Sequence, residues 1–353
     1  MTGRALVLSP SGGLGGGIER YVETIEWAFA ARGIGHARVN LHDGIRRSRA
    51  AAHATMLARC RRHLRANEAP TRLVVAHRAL LPVASVLARE HSVRGISVIC
   101  HGTDAWSRRP LLREGIERHL MRGSSVRVVA VSSFTAGALS RGRPVTILPP
   151  GLSRDWFGTL VRASEDARHQ GTGISLVTAF RLEDWEGKGL PQMLRAVTKL
   201  GRTDVRVTVC GSGEPSAQLQ ALVRAHPFCS LEPGLGDRDL ARTLAEADLF
   251  VLATRTRPGR SPSGEGFGMV LLEAQVAGTP VVAPASGGCR EAYLDQVTGA
   301  APAEEGAQAL TQTLGGLLAD PIRLSWMGRR AAEWAREAFS PDRYASLAVN
   351  RLL

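Results

Sequence analysis

Short runs of β-branched residues, separated by stretches with helical spacing, constrain the fold of this chain most strongly. In the first half they are ALVLSP (5–10), LVVAH (73–77), ISVICHG (96–102) and VRVVAVS (126–132). Runs that stay apolar, without polar alternation, are typical of parallel strands buried on both faces. Their alternation with helices predicts an α/β fold with a doubly wound parallel sheet.

A glycine-rich turn, SGGLGGG, follows the first run and leads into IERYVETIEWAFAARG. Apolar residues recur there at helical spacing: Ile18, Tyr21, Val22, Ile25 and Phe29. Gly33 is predicted to end this helix. The turn is not a complete GxGxxG motif, so it is weak evidence for a dinucleotide site.

The same pattern restarts in the second half. ILPPGLSRDWF (147–157) breaks it with prolines and a glycine, and the polar residues 160–172 indicate a linker. The new runs are ISLVTAF (174–180), VRVTVCG (205–211), LFVLAT (249–254) and TPVVAP (279–284). With 353 residues the chain exceeds one usual core. We therefore expect two similar α/β domains, residues 1–158 and 159–338, facing a central cleft that binds the ligand.

The two halves carry different charges. The chain has 43 arginines and 2 lysines, a skew typical of GC-rich coding sequence. Residues 1–150 hold 23 arginines against 9 acidic residues, a net charge of +14, whereas residues 151–353 have a net charge of −1. The halves are therefore expected to meet different partners, and the first suits an anionic acceptor or an anionic bilayer.

A nucleic-acid-binding protein is the alternative from another functional class. Because the first half has few aromatic residues and no recognisable binding module, we expect no nucleic acid as a partner.

Residues 46–65, RRSRAAAHATMLARCRRHLR, are predicted to form a basic helix. Its predicted apolar stripe is narrow and consists of Ala50, Ala54, Leu57 and Leu64. Peripheral membrane contact would then be mainly electrostatic, about 1 kcal/mol for each basic residue near the surface. The alternative is a solvated, arginine-rich helix.

The sequence contains no run of eighteen apolar residues, and its N-terminus, MTGRALVLSP, lacks the pattern of a signal peptide. The five cysteines are scattered, without CxxC spacing. We expect free thiols and a cytoplasmic protein, with possible peripheral contact at the inner face of the membrane.

Two carboxylates bracket seven uncharged residues in EGFGMVLLE, residues 265–273. SPSGEGFG is predicted to be a loop and MVLLEAQVAG a helix, so Glu265 belongs to the loop and Glu273 to the second helical turn. The first amides of the helix, at Gly268, Met269 and Val270, would face an anion such as a diphosphate. The alternative is an ordinary capped helix behind a turn.

The longer segment EGFGMVLLEAQVAGTPVVAPASGG resembles the E-x7-E segment of retaining GT-B glycosyltransferases of the family 4 type. FRLEDWEGKGLPQMLRAV resembles the Arg–Lys segment of that family, VCGSGEP its glycine turn and LGDRDLARTLAEADLFVLAT the stretch before the signature. GLGGGIERYVETIEWAFAARG and HGTDAW resemble segments of its first domain. The resemblance covers most of the chain. It implies a final helix, residues 339–353, that crosses back to the first domain.

The resemblance implies transfer of a sugar from a nucleotide sugar, taken to be a UDP-sugar, to a hydroxyl of a glycan, lipid-linked or natural-product acceptor. The nucleotide sugar is a substrate, and no cofactor is expected. Arg181 and Lys188, cations after a strand, would hold the diphosphate and stabilise the leaving group. Their alternative role is solvated surface. Glu265 would bond a donor-sugar hydroxyl, and Glu273 the ribose.

Further residues are predicted to surround the donor through backbone amides or open space. With Glu273 they are Gly16, Gly17, Gly211, Gly213, Gly234, Leu235, Phe267, Gly268, Met269 and Val270. The base would lie near Pro233 to Leu235.

His101 and Asp104 are the candidates from the first half. By resemblance, His101 contacts the donor sugar and joins Arg181, Lys188 and Glu265 as a catalytic candidate, while Asp104 meets the donor or the acceptor. The alternatives are a structural histidine and an aspartate that caps a helix.

The implied reaction retains the anomeric configuration by front-side attack, and the leaving phosphate takes the acceptor proton. It differs from the two-carboxylate chemistry of hydrolases. No DxD cluster lies near the predicted diphosphate site, so we expect no metal. A sugar-nucleotide epimerase, a glycogen-synthase-like enzyme and a phosphorylase are rivals on the same fold. The sequence leaves the oligomeric state open.

Overall fold

Two compact units make up the chain: Met1–Ser153 together with Pro341–Leu353, and Arg154–Ser340. The computed structural model describes residues 4–12, 16–42, 48–67, 69–106, 110–139, 144–167, 173–257 and 264–353. The division falls after Ser153, earlier than the predicted boundary at residue 158, because the helix that begins at Arg154 packs within the second unit.

The first unit is built on a parallel sheet. Its described strands are β1 (Arg4–Ser11), β2 (His36–His42), β3 (Thr71–Val75), β4 (Val93–Cys100), β5 (Val126–Ala130) and β6 (Thr146–Ile147). They pair in the order β2-β1-β3-β4-β5-β6. The described helices are α1 (Gly17–Ala31), α2 (Arg49–Arg65), α3 (Leu81–Leu87), α4 (Thr103–Trp106), α5 (Leu111–Met121), α6 (Ser133–Leu139) and α14 (Pro341–Leu352).

The C-terminal helix α14 lies against the first unit. A Cβ on Gly151 would lie 2.3 Å from the ring of Tyr344, so only glycine leaves room for this buried ring. At the far end of the helix, the buried Ser97 hydroxyl donates to the carbonyl of Leu352 at 2.7 Å. Close packing and a buried hydrogen bond thus hold the helix at both ends.

The second unit repeats the architecture. Its described strands are β7 (Ile174–Ala179), β8 (Val205–Gly211), β9 (Cys229–Pro233), β10 (Leu249–Val251), β11 (Val281–Val282) and β12 (Gly299–Ala300). They form a parallel sheet in the order β12-β11-β10-β7-β8-β9. The described helices are α7 (Arg154–Asp166), α8 (Leu190–Leu200), α9 (Ala217–Arg224), α10 (Asp237–Ala245), α11 (Met269–Val276), α12 (Ala307–Leu318) and α13 (Pro321–Ala338).

The predicted linker over residues 160–172 is wrong for its first part, which belongs to helix α7. The helix buries Trp156 and Leu160, four residues apart, and turns its polar residues outward. Polar composition alone suggested a linker because one buried face needs only a few apolar residues. Residues 168–172 lie outside the described part of the chain.

The strands that the sequence patterns missed are β2, β6, β9 and β12, which lie at the sheet edges. β2 (HARVNLH) and β9 (CSLEP) keep most of their residues partly or fully exposed. A search for continuous apolar runs finds central strands, because only these are covered on both faces.

Helix α2 buries a different stripe from the predicted one. Ala52, Met56, Cys60 and Leu64 are buried, at a spacing of four residues. Of the predicted stripe only Leu64 is buried, and Ala50 and Ala54 are exposed. The face was misjudged because alanines at several registers give no unique apolar face.

Among the described residues, no helix combines the length and hydropathy that crossing a bilayer requires. All five cysteines are described, and all are free. Burial raises the pKa of the Cys60 thiol to about 12.

Two helical glycines allow a matched test of the packing of the second unit. A Cβ on Gly328 of α13 would lie 2.7 Å from the carbonyl oxygen of Gly278, whereas a Cβ on Gly316 of α12 would meet no described atom within 4 Å. We expect Gly328→Ala to lower the free energy of unfolding by about 1–3 kcal/mol through overpacking.

Gly316→Ala, by contrast, should raise the free energy of unfolding by roughly 0.5–1 kcal/mol, because alanine is the better helix former. Urea unfolding followed by circular dichroism measures both values. Equal effects of the two substitutions would contradict the packing of α13 against Gly278.

Candidate functional site

The strand order of the second unit reverses between β7 and β10. The chain proceeds from β7 outward to β8 and β9, then returns to place β10 on the other side of β7. In open α/β sheets, ligands bind beyond the carboxyl ends of the strands at such a reversal. Arg181 and Lys188 lie in the segment after β7, and Thr254 and Glu265 lie in the segment after β10. Sequence-predicted residues thus flank the reversal on both sides.

An ion pair bridges these two segments. Lys188 Nζ donates to Glu265 Oε1 at 2.5 Å, and the buried Thr254 hydroxyl donates to the same oxygen at 3.1 Å. The side chains of Lys188 and Glu265 are 26% and 13% exposed. Partial burial strengthens such a contact relative to one in water. The two residues were predicted to have separate roles, and the structure brings them into contact.

A glycine that the sequence analysis did not single out permits this contact. Gly189 has φ 77°, and a Cβ there would lie 2.0 Å from the carbonyl oxygen of Ala253. Only glycine combines this left-handed conformation with such a close approach. The segments after β7 and β10 therefore pack backbone to backbone beside Lys188.

Arg181 lies at the other end of the segment after β7. Its side chain is 44% exposed, and its guanidinium donates to Glu183 at 2.9 Å. The amide of Leu182 donates to the carbonyl of Ser212 at 2.9 Å, which ties this segment to the one after β8. Arg181 is thus a cation on the carboxyl edge of the sheet with its charge accessible to solvent.

A backbone hydrogen bond connects the predicted glycines after β8 and β9. A Cβ on Gly211 would lie 2.1 Å from the carbonyl oxygen of Phe180, and the amide of Gly234 donates to Gly211 O at 2.8 Å. Gly213 and Gly234 have positive φ, 93° and 69°. A Cβ on either would meet no described atom within 4 Å, so the space beside them is open, and Leu235 is partly exposed there.

Helix α11 begins as predicted, directly after Gly268. Gly268 has φ 87° and offers no side chain to cap the helix. The amides of Met269 and Val270 therefore lack a partner within the helix and carry its positive dipole end. This arrangement suits an anion.

Glu273 lies in the helix and Glu265 in the preceding loop, as predicted. Glu273 is only 6% exposed, and the indole of Trp156 in α7 donates to its Oε1 at 3.0 Å. A buried carboxylate needs such donors because desolvation otherwise penalises its charge. Trp156 was not predicted as a site residue, since nothing in the local pattern of α7 points to Glu273.

Phe267, a predicted donor-binding residue, has a buried side chain. It is 3% exposed, and its ring meets that of Phe339 edge to face at 6.0 Å between centroids. Any contact of Phe267 with a ligand is therefore left to its backbone, because the ring is part of the core.

In the first unit, His101 and Asp104 contact each other. The Oδ1 atom of Asp104 accepts the amides of His101 and Gly102, each at 2.8 Å. Asp104 thus holds the turn into the short helix α4, which is the capping role considered as the alternative. Its predicted contact with donor or acceptor stays a prediction.

The imidazole of His101 is partly buried. Its Nε2 must donate to the carbonyl of Ala76, at 2.7 Å, because a carbonyl can only accept. Burial lowers the pKa of His101, with the Asp104 charge opposing the shift. A neutral ring with its proton on Nε2 leaves Nδ1 as a hydrogen-bond acceptor.

The glycine-rich loop is described at both ends, and residues 13–15 lie outside the described part of the chain. Gly16 precedes α1 in an extended conformation, and a Cβ on Gly17 would meet no described atom within 4 Å. Their predicted contact with a ligand stays a prediction. Within the described ranges, no group of three or more histidine, cysteine, aspartate or glutamate residues could hold a metal ion.

Known glycosyltransferases are similar to this chain in sequence. Residues 164–334 match the family model of glycosyl transferases group 1. A GDP-mannose-dependent alpha-(1-6)-phosphatidylinositol monomannoside mannosyltransferase of Mycolicibacterium smegmatis is 33% identical over 271 residues, covering 73% of this chain and 69% of the relative. A GDP-mannose-dependent monoacylated alpha-(1-6)-phosphatidylinositol monomannoside mannosyltransferase of Corynebacterium glutamicum is 35% identical over 281 residues. The alignment covers 73% of this chain and 71% of that relative.

The fold is also found in a solved structure. Sucrose-phosphate synthase from Thermosynechococcus elongatus superposes with a TM-score of 0.79 at 17% identity, covering 98% of each chain. At this identity the likeness concerns the fold alone. It confirms the predicted GT-B fold with two Rossmann-like α/β domains.

The lowered pKa of His101 predicts a pH effect on stability. Because the unfolded ring, with its usual pKa near 6.5, binds a proton before the folded ring does, acid favours unfolding. We expect the free energy of unfolding to fall as the pH drops below about 6.5, and less so in His101→Gln, whose amide cannot be protonated in this range.

Urea unfolding at pH 7.5, 6.5 and 5.5 measures this dependence. His91→Gln is the control, because His91 is exposed and its replacement should retain the wild-type slope. The same slope in His101→Gln as in the wild type would mean that His101 is not held neutral.

Proposed function

The chain belongs to the glycosyl transferases of group 1, and on this basis we propose that it transfers mannose from GDP-mannose to a hydroxyl of an anionic, lipid-linked acceptor. The observation that carries the proposal is the Lys188–Glu265 ion pair at the strand-order reversal, beside the open N-terminus of α11. It combines a cation and helix amides for a diphosphate with a carboxylate for a sugar hydroxyl.

We propose GDP-mannose in place of the UDP-sugar expected from the sequence. Both mannosyltransferase relatives are named as GDP-mannose-dependent, and each aligns with most of this chain. The residue patterns alone did not distinguish the two nucleotides, because diphosphate and ribose are common to both. The base would meet the open space beside Gly213 and Gly234.

In the proposed complex, Lys188 and Arg181 hold the diphosphate together with the amides of Met269 and Val270. Their positive charge stabilises the leaving phosphate, and no divalent cation is needed for this role. The acceptor hydroxyl attacks the face from which GDP departs, so the configuration at the anomeric carbon is retained. The leaving phosphate takes the proton.

The two glutamates have different proposed roles. One carboxylate oxygen of Glu265 accepts hydrogen bonds from Lys188 and Thr254. Its proposed ligand is a hydroxyl of the mannose. Glu273, held by Trp156, would accept hydrogen bonds from the ribose. Along the chain, Glu265 comes first, then the N-terminal amides of α11, then Glu273. The proposed ligands follow the same order along the donor: sugar, diphosphate, ribose.

We propose that the basic first unit binds the anionic acceptor at a membrane surface. Residues 1–150 carry a net charge of +14, and Arg62 and Arg65 of α2 are exposed. The relatives named above act on phosphatidylinositol monomannosides, which are anionic lipids. Attraction between a basic surface and such lipids weakens as salt screens the charges.

The activity is tested with GDP-mannose and vesicles that contain phosphatidylinositol monomannoside. We expect acceptor-dependent release of GDP that persists in EDTA, and falls as salt rises from 50 to 500 mM. In calorimetry, GDP should bind at least about tenfold more tightly than UDP, a difference of about 1.4 kcal/mol.

The control vesicles are phosphatidylcholine alone, which should support no release of GDP. Tighter binding of UDP than of GDP would contradict the proposed donor. Release of the nucleotide at the same rate without acceptor would contradict transfer and favour the epimerase-like or hydrolytic alternatives.

Substitutions at the two glutamates separate their roles. Glu273→Gln should weaken binding of free GDP, because GDP contains the ribose; a lost charge-assisted hydrogen bond costs about 1.5–3 kcal/mol. Glu265→Gln should leave GDP affinity unchanged or higher, since Lys188 loses its neutralising partner, while turnover falls at least about tenfold. Glu333→Gln, an exposed glutamate of α13, is the control.

Calorimetry with GDP and steady-state rates with GDP-mannose provide the two measurements. An equal loss of GDP affinity in Glu265→Gln and Glu273→Gln would show that both carboxylates bind the nucleotide. Full activity of Glu265→Gln would remove this residue from the reaction.

A further inference from the structure

Glu305 makes a contact across the sheet of the second unit. It follows β12, at the sheet edge, yet both of its carboxylate oxygens accept the backbone amide of Thr256, at 3.1 and 3.0 Å. Thr256 follows β10, and β11 lies between β12 and β10. The contact therefore spans one intervening strand.

The segment after that intervening strand takes part as well. The hydroxyl of Ser286, which follows β11, donates to Glu305 Oε1 and lies 3.4 Å from the hydroxyl of Thr256. Glu305 is thus the common acceptor for the carboxyl-terminal segments of β10 and β11, while its own position follows β12. One carboxylate joins three neighbouring strand ends.

Both joined segments reach Glu265. On one side, Thr254, two residues before Thr256, donates to the Glu265 carboxylate at 3.1 Å. On the other side, Gly288, two residues after Ser286, donates its amide to the Glu265 carbonyl at 2.9 Å. The side chain and the main chain of Glu265 are therefore held by the segments that Glu305 joins.

The turn between Ser286 and Gly288 is closely fitted to the same residues. Gly287 has φ 80°, and a Cβ there would lie 3.3 Å from both the Glu265 carbonyl oxygen and the Thr256 hydroxyl. A left-handed conformation of this kind favours glycine. Movement of the Thr256 or Ser286 segment would therefore be transmitted to the backbone of Glu265.

We infer that Glu305 is a positioning residue, which fixes the main chain around Glu265 so that the Glu265 carboxylate stays on Lys188. The part of this inference that concerns turnover rests on the proposed function, in which Glu265 bonds the donor sugar. Glu305 itself contacts Thr256 and Ser286 and acts on the reaction only through them.

The chemistry of the side chain explains why a carboxylate is needed. Two oxygens accept from the Thr256 amide and the Ser286 hydroxyl at once, and an ionised acceptor makes the stronger hydrogen bond. Glutamine keeps the length but replaces one oxygen with an NH2 donor, so it cannot accept with both atoms. The neighbouring Glu304 is exposed, and Glu304→Gln is a matched control of equal charge change.

The first measurement needs no nucleotide. Residue-resolved amide exchange on the full chain should show faster exchange in Glu305→Gln at Thr256, which loses one of its two acceptor oxygens, and at Gly288, which contacts Glu265. Exchange in the central strand β7 should be unchanged, and Glu304→Gln should match the wild type throughout. Wild-type exchange at Gly288 in Glu305→Gln would overturn the inference.

The second measurement separates positioning from general damage. Glu305→Gln should reduce turnover of GDP-mannose by about 10- to 100-fold, the size expected when a contact residue is displaced by about 1 Å. The Kd for GDP should stay within about twofold of the wild type, because the proposed nucleotide contacts lie on α11 and after β7. Wild-type turnover, or an equal loss of GDP affinity and turnover, would overturn the positioning role.

These results also distinguish failure of the proposed function. If the wild type does not turn over GDP-mannose, the amide exchange still tests whether Glu305 holds Glu265, and only the substrate assignment fails. If Glu305→Gln does not fold, Ser286→Ala replaces it, since it removes one of the two links and leaves the carboxylate on Thr256. Ser286→Ala should accelerate exchange at Gly288, and no change there would overturn the inference.

Discussion

A parallel strand can follow another only after the chain has crossed back over the sheet, and the rest of the second unit depends on this constraint. Every crossover carries the chain from the carboxyl end of one strand to the amino end of the next. The segments after β7, β8, β10 and β11 therefore all begin at the same edge of the sheet, at the carboxyl ends of the strands. The order reverses between β7 and β10, which is where ligands of open α/β sheets usually bind. Lys188 and Glu265 occupy the segments after these two strands and join them.

Close contact between these segments requires residues without side chains at defined positions. A Cβ on Gly189 or Gly211 would lie within about 2 Å of a neighbouring carbonyl oxygen, which is too close for any other residue. The close approach at Gly189 brings Lys188 within reach of Glu265. The close approach at Gly211 accompanies the hydrogen bond from Leu182, next to Arg181, to Ser212 in the turn after β8. Glycine therefore contributes geometry here, while charge comes from the residues beside it.

The carboxylates of this unit differ in their surroundings, and the surroundings suit different tasks. Glu265 lies at a partly exposed position, where its carboxylate accepts hydrogen bonds from an ammonium and a hydroxyl. Glu273 is buried against an indole. Glu305 accepts backbone and side-chain donors from two segments and is inferred to hold Glu265 in place. The donors around each carboxylate thus differ, although all three side chains are glutamates.

The sequence by itself determined the α/β class, the central strands and the helix start at Gly268, because continuous β-branched runs and glycine positions reflect local requirements of backbone and burial. Edge strands such as β2 and β9 were missed, since one exposed side removes the apolar signature. Only the tertiary structure decided that Lys188 meets Glu265, that Trp156 holds Glu273 and that Glu305 reaches Thr256. These partners lie 77, 117 and 49 residues apart, and contacts at such separations depend on strand order, which no local pattern of residues encodes.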